Sequence, residues 1–273
     1  MFLISKDPEI SVVAHQPGGL DISLTYDSSE TYSPPTWMAL RYREAVASWT
    51  ARLSFESVRA RPCRIWLTEQ GVRLAGGPMS YSQTRALHDC IQAYREGAFG
   101  GARLNKAVNI SSASLVVSMM TDDGLMLLPR RSPDVVTMPG LWAVGLGEGL
   151  EPVDFESGSL HAPVRRTLHE ELAIEGGSVP ESAIKTLGVF QNTGSLSLTI
   201  FSVVDLVGAG EEFSATRVAQ RATFAKDAWE HSELRFVEPD LEALEGIVAS
   251  SGAGLCHGVR TCMAMLKAYL ATK

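Results

Sequence analysis

A chain of 273 residues, 45% apolar and 20% charged, has the composition of an ordinary soluble globular protein and length enough for two domains. Its formal net charge of −7 supplies no clustered Lys and Arg field for a phosphate backbone, which excludes a nucleic-acid polymer as the expected partner. No apolar run approaches the ~20 residues of a membrane span. The N-terminus meets Lys6, Asp7 and Pro8 before an apolar segment reaches signal-peptide length, and Cys63, Cys90, Cys256 and Cys262 form no CxxC pair. Reduced thiols and a cytoplasmic location are the expectation.

Taken in chain order, short apolar segments and the polar loop YDSSETYSPP (26–35) precede a helical stretch at 37–53. CRIWLTEQGVRL (63–74) reads as a hairpin, and YSQTRALHDCIQAYREG (81–97) as a helix ended by its glycine. The glycine-rich GAFGGARLN (97–105) marks a junction between an N-terminal α+β unit, 1–105, and a second unit, 106–273. There the pattern changes: strands at 112–120 and 124–130, a short strand within 141–152 that dissolves into glycines, and a helix from about Leu160 with Pro163 in its first turn. Strands at 183–190 and 196–206 follow, then a strand handing over to a helix across 233–250, and a closing helix at 255–271. Trp142 and Phe190 read as sheet packing rather than base stacking.

The helix contains VRRTLHEELAI (164–174). Val164, Leu168 and Leu172 recur at i, i+4 and i+8 and form a buried stripe, which leaves Glu170 and Glu171 for the surface. Adjacent carboxylates about 100° apart can flank a cation from two sides. Arg166, one turn before Glu170, is placed to pair with it and keep it ionised.

These residues resemble a Nudix box. The family pattern is G, five residues, E, seven residues, then R-E-U-x-E-E-x-G-U, with U bulky and aliphatic. Arg166, Leu168, Glu170, Glu171 and Ile174 match its right-hand part, while Thr167 and Ala173 replace Glu and Gly. Gly149 and Glu156 stand in for the left-hand part at altered spacing, so the degenerate box spans 149–174. Strand, turn, LLPRRS, PGLW, a glycine-rich bend, the box helix, two strands and WEHSELRFV arrive in the family's order. PGLW also resembles isopentenyl-diphosphate isomerases, but their catalytic cysteine and histidine fall near Gly147 and Gly149 here, against that chemistry.

The resemblance implies an α+β fold: a Nudix-type α/β/α sandwich with a mixed sheet, preceded by the smaller α+β N-terminal domain. It implies a magnesium- or manganese-dependent hydrolase of a diphosphate linkage, in a nucleoside diphosphate joined to another moiety, with that small molecule as partner. Arg166, Glu170 and Glu171 are the catalytic candidates. Glu170, Glu171, Glu148, Glu230 and a carbonyl oxygen at Gly149 are the metal candidates, and Arg130 and Arg131 the phosphate-binding ones. Thr167 stands where the family adds a carboxylate, so Glu148, Glu156, Glu230 or Glu233 would supply the missing charge. The same substitutions favour an alternative, a catalytically weak or inactive nucleotide-binding or regulatory module.

Overall fold

The computed structural model describes residues 9–53, 56–69, 71–104 and 110–273. The N-terminal segment with Lys6, Asp7 and Pro8 and the junction at residue 105 lie outside the described residues. Two sheets organise the chain. The smaller is built from β2 (Asp21–Tyr26), β3 (Val58–Leu67) and β4 (Gly71–Ser80) in the order β2-β4-β3. β3 and β4 are the expected antiparallel hairpin, and β2 runs parallel to β4. Two helices accompany this sheet, α1 (Ala39–Arg52) and α2 (Tyr81–Arg95). A capping box starts α2: Ser80 Oγ accepts from the Gln83 amide, and Gln83 Oε1 from the Ser80 amide.

The larger sheet orders its strands β1-β8-β9-β5-β6-β10, with β7 also paired to β5. These are β1 (Ile10–His15), β5 (Ala113–Met120), β6 (Met126–Arg131), β7 (Leu146–Gly149), β8 (Ile184–Asn192), β9 (Leu198–Asp205) and β10 (His231–Val237). β5 and β9 run parallel and the other pairs antiparallel, so the sheet is mixed as expected. The sheets do not divide the chain at residue 105. β1 pairs with β8 and so extends the second unit's sheet, and His88 of α2 hydrogen bonds Ser111 Oγ at 2.7 Å.

Helices cover both faces of the larger sheet. On one, the box helix α4 (His161–Leu172) buries Val164, Leu168 and Leu172 completely, against Leu115, Val117 and Ile200 and against Leu24 and Leu74 of the small sheet. Burial of this kind stabilises by roughly 1.5–3 kcal/mol per side chain. On the other, Leu244 of α6 (Leu241–Ser251) and Met263 and Leu266 of α7 (Val259–Leu270) join Leu128, Phe201 and Val203. Trp142 and Phe190 lie in this second core, so packing is their role. Two short helices escape sequence periodicity, α3 (Pro152–Ser157) and α5 (Ala215–Ala222). No helix among the described residues is long and apolar enough to cross a membrane.

Ala173 ends the box helix at φ 53°, the left-handed conformation for which the family pattern supplies glycine, and its amide donates to the His169 carbonyl at 3.0 Å. A Cβ in that conformation costs about 1–2 kcal/mol. Ala173→Gly, partly offset by the freer unfolded chain, raises the unfolding free energy by about 1 kcal/mol, read as a shift in denaturant midpoint at constant slope.

Candidate functional site

The glycine bend and the box helix are joined by a segment that touches both sheets. Beyond β7, the Leu150 amide donates to the Ala113 carbonyl of β5, and the Leu150 carbonyl accepts from the Ala60 amide of β3 at 2.9 Å. The small sheet's edge strand thereby lies along the bend and delivers Arg59 to it. Arg59 Nη1 donates to the Gly149 carbonyl at 2.9 Å and faces Glu148 Oε1 at 3.3 Å and Glu151 Oε1 at 3.5 Å.

Arg166 does not pair with Glu170. It grips Asp154 of α3 in a two-pronged contact, Nη1 to Oδ1 at 2.8 Å and Nη2 to Oδ2 at 2.9 Å. Asp154 is 1% exposed and also accepts the Glu151 amide, so it outcompetes a partner one turn along the helix whose side chain has another cation. Asp154 holds the Arg166 guanidinium firmly in its charged form. Glu170 instead meets the exposed Lys226 at 2.7 Å, and its carbonyl accepts the Asp227 amide, which docks the chain after α5 onto the end of α4.

Glu171 is not on the surface. The buried face of α4 is wider than the stripe and includes Thr167 and Glu171, at i+3 and i+7 from Val164. Thr167 turns its hydroxyl back to the Pro163 carbonyl at 2.8 Å, so this position offers no ligand in place of the family's carboxylate. Glu171, 4% exposed, meets His231 Nε2 at 2.5 Å. Register in the larger sheet sets His231 opposite Arg131.

The electrostatics are those of crowded acids. Burial, then Glu148, push the Glu171 carboxyl well above the carboxylate range, with Arg131 opposing. Burial also raises Glu148 despite Arg166 and Arg59, and raises Glu230, which Glu171 pushes further. Burial, with Arg131 adding to it, lowers His231 to about 4. The ring is therefore neutral near pH 7, and the contact with Glu171 holds a single proton.

Of the two candidate phosphate arginines, only Arg131 comes to these acids, 3.9 Å from Glu230, with its Nε on the Thr137 carbonyl. Arg130 alternates to the opposite face, donating to the Gly140 carbonyl and lying over the Trp142 ring. Two suggested replacements for the missing carboxylate are elsewhere. Glu233 pairs with Arg235, and Glu156 lies toward Tyr26.

The donor chemistry fits a hard divalent cation: Glu148, Glu170, Glu171 and Glu230 with the Gly149 carbonyl are oxygens, and three of these acids are raised by burial and by like-charged neighbours. Among the described residues no three His, Cys, Asp or Glu side chains form a ready metal shell. Arg59, Lys226, His231 and Arg131 face the acids instead. Sequence reasoning missed Arg59, Asp154, Lys226 and His231. Only His231 carried a signal, standing beside Glu230 in WEHSELRFV.

No family model and no curated protein matches the chain. Solved structures do. The Nudix domain of Shewanella oneidensis NrtR, in complex with ADP ribose, is 17% identical over 58% of this chain and 88% of its own, with a TM-score of 0.38. RenU, a Nudix hydrolase from M. smegmatis, is 18% identical over 59% and 85%, at 0.31. An Ap4A hydrolase from C. elegans is 16% identical over 59% and 99%, at 0.34. The likeness is of fold alone.

The contrast between the two acid contacts is measurable. Asp154→Ala leaves Arg166 partly buried without its partner and lowers the unfolding free energy by about 3 kcal/mol. Glu170→Ala, which removes an exposed lysine's partner, changes it by less than about 1 kcal/mol. Urea denaturation of both variants checks the difference.

Proposed function

We propose that the chain is a Nudix-type hydrolase of a diphosphate linkage, acting on a nucleoside diphosphate joined to another moiety. The observation that carries this reading is the electrostatic crowding of Glu148, Glu170, Glu171 and Glu230 at the glycine bend and the end of the box helix, with Glu171 buried and Glu148 and Glu230 partly so. Burial raises Glu148, Glu171 and Glu230, and desolvating acids is costly unless they serve a purpose. An anionic substrate approaching them needs a countercharge. The substrate class follows from the resemblance of the box.

Magnesium or manganese held by Glu148, Glu170, Glu171 and Glu230 with the Gly149 carbonyl would supply Lewis-acid polarisation and an acidified water. The chain's own groups have distinct tasks. Asp154 and Arg166 fix the box helix against the bend. Arg131 is a guanidinium within reach of phosphate oxygens. His231 and Glu171 share one proton, so a change in the charge of one is answered by the other.

A second reading, a nucleotide-binding or regulatory module without turnover, is favoured by one observation: Thr167 faces inward while Arg59 and Lys226 already occupy acids of the site. A panel of nucleoside diphosphate compounds incubated with the protein and magnesium or manganese, with products scored by mass, separates the two. The wild type cleaves at least one compound, chelation abolishes cleavage, and Glu170→Gln and Glu171→Gln each reduce it by about a hundredfold or more, the scale of a lost transition-state contact. No product at high protein concentration, with thermal stabilisation by a panel member, would establish the binding module instead.

A further inference from the structure

We propose that Arg59 is a latch on the cation site. Supplied by the small sheet, it occupies oxygens of the bend in the free protein and must release them before a divalent cation can load. The inference rests on the cation site of the hydrolase reading and adds to it a role for the N-terminal part of the chain.

Three observations carry it. First, Arg59 Nη1 is within 3.3 Å of two of the oxygens assigned to the cation, the Gly149 carbonyl and Glu148 Oε1. A guanidinium and a divalent cation on the same carbonyl and carboxylate oxygens repel each other at close range, so they compete for the site. Second, the contact is built. The Ala60–Leu150 backbone hydrogen bond fixes β3 along the bend one residue from Arg59. A Cβ at Gly149 would lie 3.1 Å from Arg59 Nη1, so a side chain there would push the guanidinium back by a few tenths of an ångström. Third, Arg59 has somewhere to go. Glu151 stands 3.5 Å away, is partly exposed, and is not among the cation's candidate ligands. On loading, the arginine keeps that partner instead of being left buried and unpaired.

A latch of this kind makes the small sheet part of the site. Any ligand or partner that draws β3 away from the bend favours loading, and anything that presses it there opposes loading.

The test measures manganese binding to the full chain by calorimetry and by loss of the free-ion electron-spin signal, without nucleotide. Arg59→Met keeps the stem and removes the charge, and binds manganese about tenfold more tightly than wild type, in line with loss of one competing charged hydrogen bond. Should that variant fail to fold, Arg59→Lys provides the same test. Its shorter ammonium falls back from the Gly149 carbonyl and gives a smaller gain in the same direction. Arg73→Met, an exposed arginine on β4, leaves affinity unchanged and separates the latch from a general effect of net charge. Equal affinity in wild type and Arg59→Met overturns the latch and leaves the cation site standing. Weaker binding in Arg59→Met also overturns it, since Arg59 would then support the site. Manganese binding by none of the proteins overturns both the latch and the reading on which it rests.

Discussion

The two-pronged contact between Arg166 and Asp154 is the constraint on which the rest of the site depends. An aspartate 1% exposed holds the box helix to α3, and α3 is the direct continuation of the glycine bend. The neighbouring Phe155 is buried against the small sheet, where a side chain on Gly76 would collide with its ring. Consecutive residues thus tie the box helix to α3 and α3 to the small sheet. Leu150, just upstream, ties the bend to both sheets through its two backbone hydrogen bonds. The nine residues from Leu150 to Gly158 set the spacing between the bend and the acids of α4, which is the distance any chemistry there would use.

On this frame the acids are arranged at a cost. Glu171 lies on the buried side of α4, in contact with a neutral histidine and in the field of an arginine and other carboxylates. Desolvation raises such a group, and each like-charged neighbour raises it further. The protein offsets the cost with cations from four different places: Arg59 from the small sheet, Arg131 from β6, Arg166 from the box helix and Lys226 from the segment after α5. On the proposed reading these groups are what a phosphate-bearing ligand and its countercharge would meet.

Much of this frame was legible in the sequence. The box-helix stripe, the β3–β4 hairpin and the order of strands follow from local periodicity, and the mixed sheet between helices follows from the resemblance that order carries. What was not legible was long-range. Asp154 became Arg166's partner through a fold-back of α3, and its six residues are too short for a periodic signal. Arg59 reached the bend across 90 residues of sequence, and no local pattern announces that. Counting only Val164, Leu168 and Leu172 made the helix's buried face too narrow, so Glu171 was assigned to the wrong environment. β1 joined the larger sheet for the same reason: its partner strand is far along the chain.

The central claim is that the acids around the bend and box helix form one cation site guarded by protein cations. The most direct test is anomalous diffraction from crystals of the full chain grown with manganese and a non-hydrolysable nucleoside diphosphate analogue. The account predicts an anomalous peak bounded by Glu148, the Gly149 carbonyl and the glutamates of α4, with Arg59 turned toward Glu151. Bound analogue with no anomalous peak at that position, and Arg59 still on the Gly149 carbonyl, would contradict it.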